Sequence, residues 1–435
     1  MLRGLYSLVW MGAIPIALAY LIYRSIRQPA YRRHWSERFG FLPPAPHGAR
    51  QFWIHAVSVG ETVAAAPLVR RLAVRYPGAV LLLTHATPTG RDAGRELFGY
   101  LGARLRQSYL PYDLPFSVRR FLAIQRPMFG LVVETEVWPN LMHAARRSGT
   151  PMAVINARLS ERSLARGLRY RRLIAPAIDA FQLIVAQTAA DSTRIARLAR
   201  PADAVVGNLK FDQAVSPSAG QTGAVWRSRL GVRPVVLAAS TRDGEEAVLL
   251  DSWRRRAGES GDALLVIVPR HPNRFEAVSA MITAAVSSQR MMRRAALDQP
   301  DADLTACGVL LGDSMGEMQN WYACADVTIM GGSLLPFGSQ NLIEANALGC
   351  PVVLGPSTFN FEEAARHSIS AGAAEQVSGS DAAVTAALEI ALDPARRQVM
   401  SRAALQFAQA HRGATDRTME ALEPLLRQSV PESLS

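Results

Sequence analysis

Glu61 is the only formally charged residue between Arg50 and Arg70, and it sits where the strand-like run "IHAVSV" gives way to a helix-like one, "TVAAAPLVRRL". A carboxylate in a first helical turn is stabilised by the positive end of the backbone dipole, which is one reading of Glu61. The other is a carboxylate aimed into a cleft. Glu134 and Glu136 end another apolar run, "VVETEVWPN". Two-residue periodicity places them on one face if the strand stays extended. Like charges so placed need cations or solvent, and a salt-bridged pair is the alternative for each. Of the 48 Lys and Arg residues, only Lys210, in "GNLKFD", is a lysine. A compact ammonium is not interchangeable with a planar guanidinium, which makes Lys210 an active-site candidate; an arginine-preferring genome with one surviving lysine is the alternative.

The second half offers anion-binding chemistry. "VPRHPNRF" puts Arg270 and His271 at a strand end before a proline turn, suited to an anionic group. "GDSMGEMQNWY" places Asp313, Ser314, Gly316 and Glu317 at a strand-to-helix transition, where free N–H groups bind phosphate. In "GGSLLPFGSQNLIEANALG", Gly331, Gly332 and Ser333 end a strand, and Asn341 and Glu344 open a helix. The turn allows N–H groups to face a phosphate while Glu344 accepts from ribose hydroxyls. Asn341 as a helix cap and Glu344 as its first-turn partner is the plain structural role, and the two roles are compatible.

Positioning these residues requires alternating strands and helices. The first half has candidate strands at 52–57, 79–84, 130–134, 152–156, 183–187 and 204–206, with helices at 62–76, 140–147, 164–180 and 190–199. After "DQAVSPSAGQTGA" the alternation restarts with "PVVLAAS", "ALLVIVPRH", "GVLLGD", "DVTIMGG" and "PVVLGP". The expected class is therefore α/β, with two doubly wound parallel sheets facing across a cleft that binds ligand beyond the strand ends. The expected boundaries are an anchor at 1–24, a first domain at 25–211, a linker at 212–225, a second domain at 226–405, and a helical tail at 406–435; the Ala- and Arg-rich stretch from Asp381 onward reads as surface helices.

The segment from Gly4 to Tyr23 carries no charge, long enough for a helix to cross the hydrocarbon core. Ala17-Leu18-Ala19 resembles a processing site, but the apolar run continues and meets Arg24, Arg27, Arg32, Arg33 and Arg38, which favours an uncleaved anchor with the rest of the chain cytoplasmic. A net charge of +12 calls for an anionic partner. Scattered basic residues without a recognition motif argue against nucleic acid, and the cluster behind the anchor favours anionic lipid. Three cysteines without CxxC spacing suit a reducing compartment, and no metal-ligand cluster or cofactor motif is visible.

The ordered motifs "HAVSVGE", "LPYD", "ETEVWPNLM", "NARLSERS", "GNLKFD", "STRDGEE", "VPRHPNRF", "GDSMGEM", "GGSLLPFGSQN" and "GPSTFNFEE", behind an N-terminal anchor, resemble the bacterial 3-deoxy-D-manno-octulosonic acid (Kdo) transferases. The resemblance runs nearly the length of the chain. It implies a GT-B, inverting glycosyltransferase that moves Kdo from CMP-Kdo to a tetraacylated lipid A precursor, lipid IVA, in lipopolysaccharide core biosynthesis at the inner membrane. By similarity, Glu61 matches the general base, and Glu134 and Lys210 the residues that stabilise the transition state. Pro269 and Arg270, Met315, Gly316 and Glu317, and Asn341, Leu342, Ile343 and Glu344 match the CMP-binding segments. The family's usual Gly-Gly-His-Asn-Pro-Leu-Glu run departs here, with Gln340 in place of the histidine. Two rivals remain on sequence grounds: another membrane-associated GT-B enzyme using a UDP-sugar, and a non-enzymatic membrane scaffold.

Overall fold

In a computed structural model, residues 2–213, 215–256, 261–286 and 290–429 are described. The chain forms two compact units, one of residues 1–213 with 412–435, the other of residues 214–411. The first carries a parallel sheet of seven strands: β1 (Gln51–His55), β2 (Val80–His85), β3 (Leu105–Tyr109), β4 (Phe129–Val133), β5 (Met152–Ala157), β6 (Leu183–Ala186) and β7 (Ala204–Val205), ordered β3-β2-β1-β4-β5-β6-β7. Alternate residues feed opposite cores. Phe52 and Ile54 of β1 pack on one side with Leu81, Leu131 and Ile155. Trp53 points to the other, with Leu82, Val132 and Val154. Burial on both faces is why these strands read as continuous apolar runs.

The second unit has its own seven-stranded parallel sheet, of β8 (Val235–Thr241), β9 (Leu264–Pro269), β10 (Met291–Arg293), β11 (Val309–Leu311), β12 (Val327–Met330), β13 (Val352–Leu354) and β14 (Ala374–Gln376), ordered β10-β11-β9-β8-β12-β13-β14. In each sheet the strand order reverses beside the first strand, between β1 and β4 and between β8 and β12, which makes a crevice at the carboxyl ends of those strands.

Several boundaries differ from the expected ones. Most of the segment read as a linker, 212–225, belongs to ordered structure: Pro217–Leu230 is a helix, and its Trp226 packs against Trp321 with ring centroids 4.4 Å apart and the rings tilted by 48°. Within that segment, residue 214 lies outside the described residues. The stretch from Asp381 onward is not a set of surface helices. Val384, Ala387 and Ile390 of helix Ser380–Leu392 are buried in the second core. Helix Ala414–Ser429 returns to the first unit, where Leu422, Leu425 and Leu426 join its core. Apolar residues at i, i+3 and i+4 form a stripe that must be covered, and each fully buried leucine contributes about 1.5–3 kcal/mol. Residues 430–435 of the tail lie outside the described residues.

Candidate active site

The strand β1 ends at His55, and Ser58 caps the next helix, Val59–Arg75, by accepting from the Glu61 N–H. Glu61 answers with Oε2 accepting from the Val57 N–H at 2.5 Å and Oε1 accepting from the Ser58 hydroxyl at 3.2 Å. This is a variant of the capping box, reaching one residue further back than usual. The helix-start reading of Glu61 therefore holds, and the residue remains only partly buried. Desolvation, followed by the nearby Glu134 and Glu136 charges, pushes its pKa up to about 7 despite the two hydrogen bonds it accepts. A carboxylate so placed is half ionised near neutral pH, which suits a base.

His85, at the end of β2, sits behind this loop. Its Nδ1 is 3.0 Å from the Ala56 carbonyl and must carry the proton it donates there. Burial pushes its pKa down to about 4, so the ring is neutral at physiological pH. The histidine's position was not singled out from sequence, because its contacts run across two strands.

Across the reversal point, β4 stops at Val133, and Glu134 takes a left-handed backbone at φ 60°. The extended strand that would align Glu134 with Glu136 by periodicity is thus absent. Both carboxylates nevertheless raise the Glu61 pKa, and burial followed by Glu134 raises that of Glu136. Glu134 Oε1 accepts from Lys210 Nζ at 2.9 Å, with the lysine side chain 15% exposed. Lys210 rides on a short 3-10 turn, Leu209–Asp212, capped by the Asn208 side chain. That turn is fastened by Asn156 Oδ1 to the Leu209 N–H at 3.0 Å and by the Asp212 carboxylate to the N–H groups of Gly413 and Thr415. Glu61, Glu134, Glu136 and Lys210 are brought together.

In the second unit, Pro269 ends β9, and the Arg270 N–H donates to Thr241 O at 3.0 Å. Asn341 caps helix Leu342–Ala347 by accepting from the Ile343 N–H at 3.1 Å and donates to Glu344 Oε1 at 3.0 Å. Burial raises the Glu344 pKa, with Asn341 and then Arg270 opposing the shift, so Arg270 and Glu344 are neighbours. Met315 and Gly316 form an exposed turn, Gly316 at φ 79°. The Glu317 carboxylate is engaged: Arg294 grips it at 2.7 and 2.8 Å, and Ser314 donates to it. Burial favours its neutral form, but these bonds hold its pKa below the usual carboxylate value.

One expectation fails here. The N–H groups of Gly331 and Gly332 are not left for a phosphate, the first being donated to Ala239 O. Glu245, fully buried and not singled out from sequence, accepts from Gly332 N at 2.7 Å, Leu334 N at 3.0 Å, Leu335 N at 3.4 Å and Arg242 N at 2.8 Å. A protein carboxylate occupies the nest that an anion would need. Gly331 packs so tightly on β8 that a Cβ would lie 2.4 Å from Ser240 O, and Gln340 Nε2 lies over Gly332. Ser339 stands where the family run has its second glycine, at φ 71° and almost wholly buried.

Residues 33–213 match the family model described as 3-Deoxy-D-manno-octulosonic-acid transferase (kdotransferase). The 3-deoxy-D-manno-octulosonic acid transferase of Bordetella pertussis is 42% identical over 98% of this chain and 99% of its own. The Haemophilus influenzae protein of the same name is 33% identical over 99% and 100%. Among solved structures, UDP-GlcNAc 2-epimerase from Neisseria meningitidis matches with a TM-score of 0.59 and 16% identity, covering 86% of this chain and all of that one, 100%. Acinetobacter baumannii MurG gives 0.54 and 13%, covering 86% and 99%. These two likenesses speak for the fold alone, that of the GT-B class with its paired doubly wound domains. Near-full-length identity with two transferases of one name, together with acidic and cationic residues gathered at the strand ends of both units, places the chain in the 3-deoxy-D-manno-octulosonic acid transferase family.

Proposed function

We propose that this glycosyltransferase moves Kdo from CMP-Kdo to a hydroxyl of a tetraacylated lipid A precursor, lipid IVA, at the cytoplasmic face of the inner membrane. The observation that carries the reading is Glu61: a carboxylate at the reversal point of the first sheet, with its pKa raised to about 7, beside the Glu134–Lys210 ion pair. In the reaction, the acceptor oxygen attacks the anomeric carbon of Kdo, and its proton passes to Glu61. The bond from that carbon to the phosphate oxygen breaks, and its electron pair leaves with CMP. Single displacement with the base on the face opposite the leaving group inverts the anomeric centre.

Lys210 and Arg270 offset negative charge on the phosphate or the Kdo carboxylate, and Glu134 faces the developing positive charge or orients Lys210. Pro269 and Arg270, the exposed Met315–Glu317 turn and the Asn341–Glu344 segment hold CMP. Since Arg294 occupies Glu317 and Glu245 fills the glycine nest, the first offers its backbone to the nucleotide and the phosphate relies on Arg270. The reaction requires donor held by the second unit to reach the carboxylates of the first. The apolar helix Leu2–Arg27 and the arginines that follow it hold the chain at an anionic membrane.

The experiment is incubation of membranes carrying the protein with CMP-Kdo and the tetraacylated precursor, followed by mass analysis of the lipid. A gain of one or more Kdo masses is expected. Transfer from a UDP-sugar instead, or no transfer and no nucleotide binding, contradicts the reading.

A further inference from the structure

In the second unit, β8 and β9 run side by side with Thr241 opposite Pro269, and each strand is followed at once by an arginine, Arg242 and Arg270. The Arg270 N–H, donating to Thr241 O at 3.0 Å, holds the two chains together to that point. Neighbouring strands lie about 4.8 Å apart, so two guanidinium-bearing residues leave the sheet together. They do so beside the reversal of strand order, where a doubly wound sheet binds its ligand. Arg274, one turn further on, is neutralised within the fold. It grips the buried Glu246 carboxylate at 2.6 and 3.0 Å and lies 3.1 Å from Asp243. Among the described residues neither Arg242 nor Arg270 forms an ion pair with a carboxylate. The Arg242 guanidinium lies instead over the Phe337 ring, 4.9 Å from its centroid, and its backbone N–H is held by Glu245. A guanidinium resting on an aromatic face keeps its fork of N–H donors for an anion.

Both arginines are half-buried, where like charges set close together are unfavourable until an anion joins them. The field they make is felt by His271: burial first, and then the charges of Arg242, Arg270 and Arg274, hold its pKa below the usual histidine value. CMP-Kdo has two anionic groups on a single atom, since the anomeric carbon of Kdo bears both the sugar's carboxylate and the phosphodiester oxygen. Two anions flanking one carbon require two cations side by side, which adjacent strand ends supply. A nucleotide donor of a neutral sugar lacks the carboxylate. Arg270 is the arginine that neighbours Glu344 and the nucleotide segment, which leaves Arg242 for the sugar.

We infer that Arg242, braced on Phe337, binds the carboxylate of the donor sugar while Arg270 takes the neighbouring phosphate, so that Arg242 selects an acidic sugar over a neutral one. This inference rests on the Kdo-transfer reading above and adds to it the residue that recognises the sugar's charge.

The test compares, in the full-length protein, KM for CMP-Kdo in the transfer assay with the dissociation constant of free CMP by calorimetry. CMP carries the nucleotide's phosphate but no sugar carboxylate. Arg242→Gln should raise KM for CMP-Kdo about 10–100-fold, as loss of a charged, forked contact does, and leave CMP binding within about twofold. Arg242→Lys keeps the charge without the fork and should raise KM by less, about 3–10-fold. Arg270→Gln should weaken both. An unchanged KM in Arg242→Gln, a fall in activity carried by kcat alone, or a CMP affinity that drops along with KM, outright loss of CMP binding included, overturns the inference. Failure of the functional reading shows separately, as no Kdo transfer by the unsubstituted protein.

Discussion

The two units place a glutamate at the same topological point and use it in opposite ways. In each, the first strand of the sheet leads into a helix whose first turn carries an acid beside the reversal of strand order, Glu61 after β1 and Glu245 after β8. Glu245 is fully buried and accepts from four backbone N–H groups, tying the loop after β12 to the start of its own helix. Glu61 accepts from one backbone N–H and one hydroxyl, stays partly accessible, and is crowded by two further carboxylates. Four donors turn a carboxylate into a rivet; two donors and like-charged neighbours leave one that exchanges protons near neutrality.

The largest effect expected of breaking this contrast is on catalysis. Glu61→Gln keeps an oxygen for the Val57 N–H and should reduce Kdo transfer about 10²–10⁴-fold, as removal of a general base does, while CMP binding by calorimetry is unchanged. Lys210→Arg keeps charge but not shape and should cost about 10²-fold in kcat, measured in the same transfer assay. Glu245→Ala leaves the N–H groups of Gly332, Leu334 and Leu335 buried without their acceptor, and denaturant unfolding should show a loss of about 3 kcal/mol or more. The smallest effect belongs to Ser339→Gly. It removes a side chain from a left-handed backbone and should raise stability by about 1 kcal/mol.

Stability against pH sharpens the comparison. The folded-state pKa of Glu61 lies above its unfolded value, so its contribution is fully present below the unfolded pKa near 4.5 and is lost as pH rises through about 7. Glu61→Gln should therefore raise the melting temperature at pH 8 more than at pH 4, by calorimetric scans at both.

Much of the fold was legible because central strands are buried on both faces: "FWIH", "LLLT" and "LLVIV" read as unbroken apolar runs. The strands missed, β3, β10 and β14, are all sheet edges. There one side is unpaired, and residues such as Arg106, Arg293 and Glu375 interrupt the run. The helix expected over 164–180 is two, Glu161–Arg169 and Arg171–Ile178, with Tyr170 between them outside helical geometry. Glu61, Glu134 and Lys210 were legible as candidates because each is chemically odd in its surroundings. Glu245 was not, since three of the four groups it holds lie 87 to 90 residues away and only the Arg242 N–H is local.

The most direct measurement is kcat/KM for Kdo transfer as a function of pH, in the unsubstituted protein and in Glu134→Gln. Activity should rise through a midpoint near pH 7 as Glu61 loses its proton, and removing the Glu134 charge should move that midpoint to lower pH. A rising limb that stays in place in Glu134→Gln, or that persists in Glu61→Gln, would contradict Glu61 as the base.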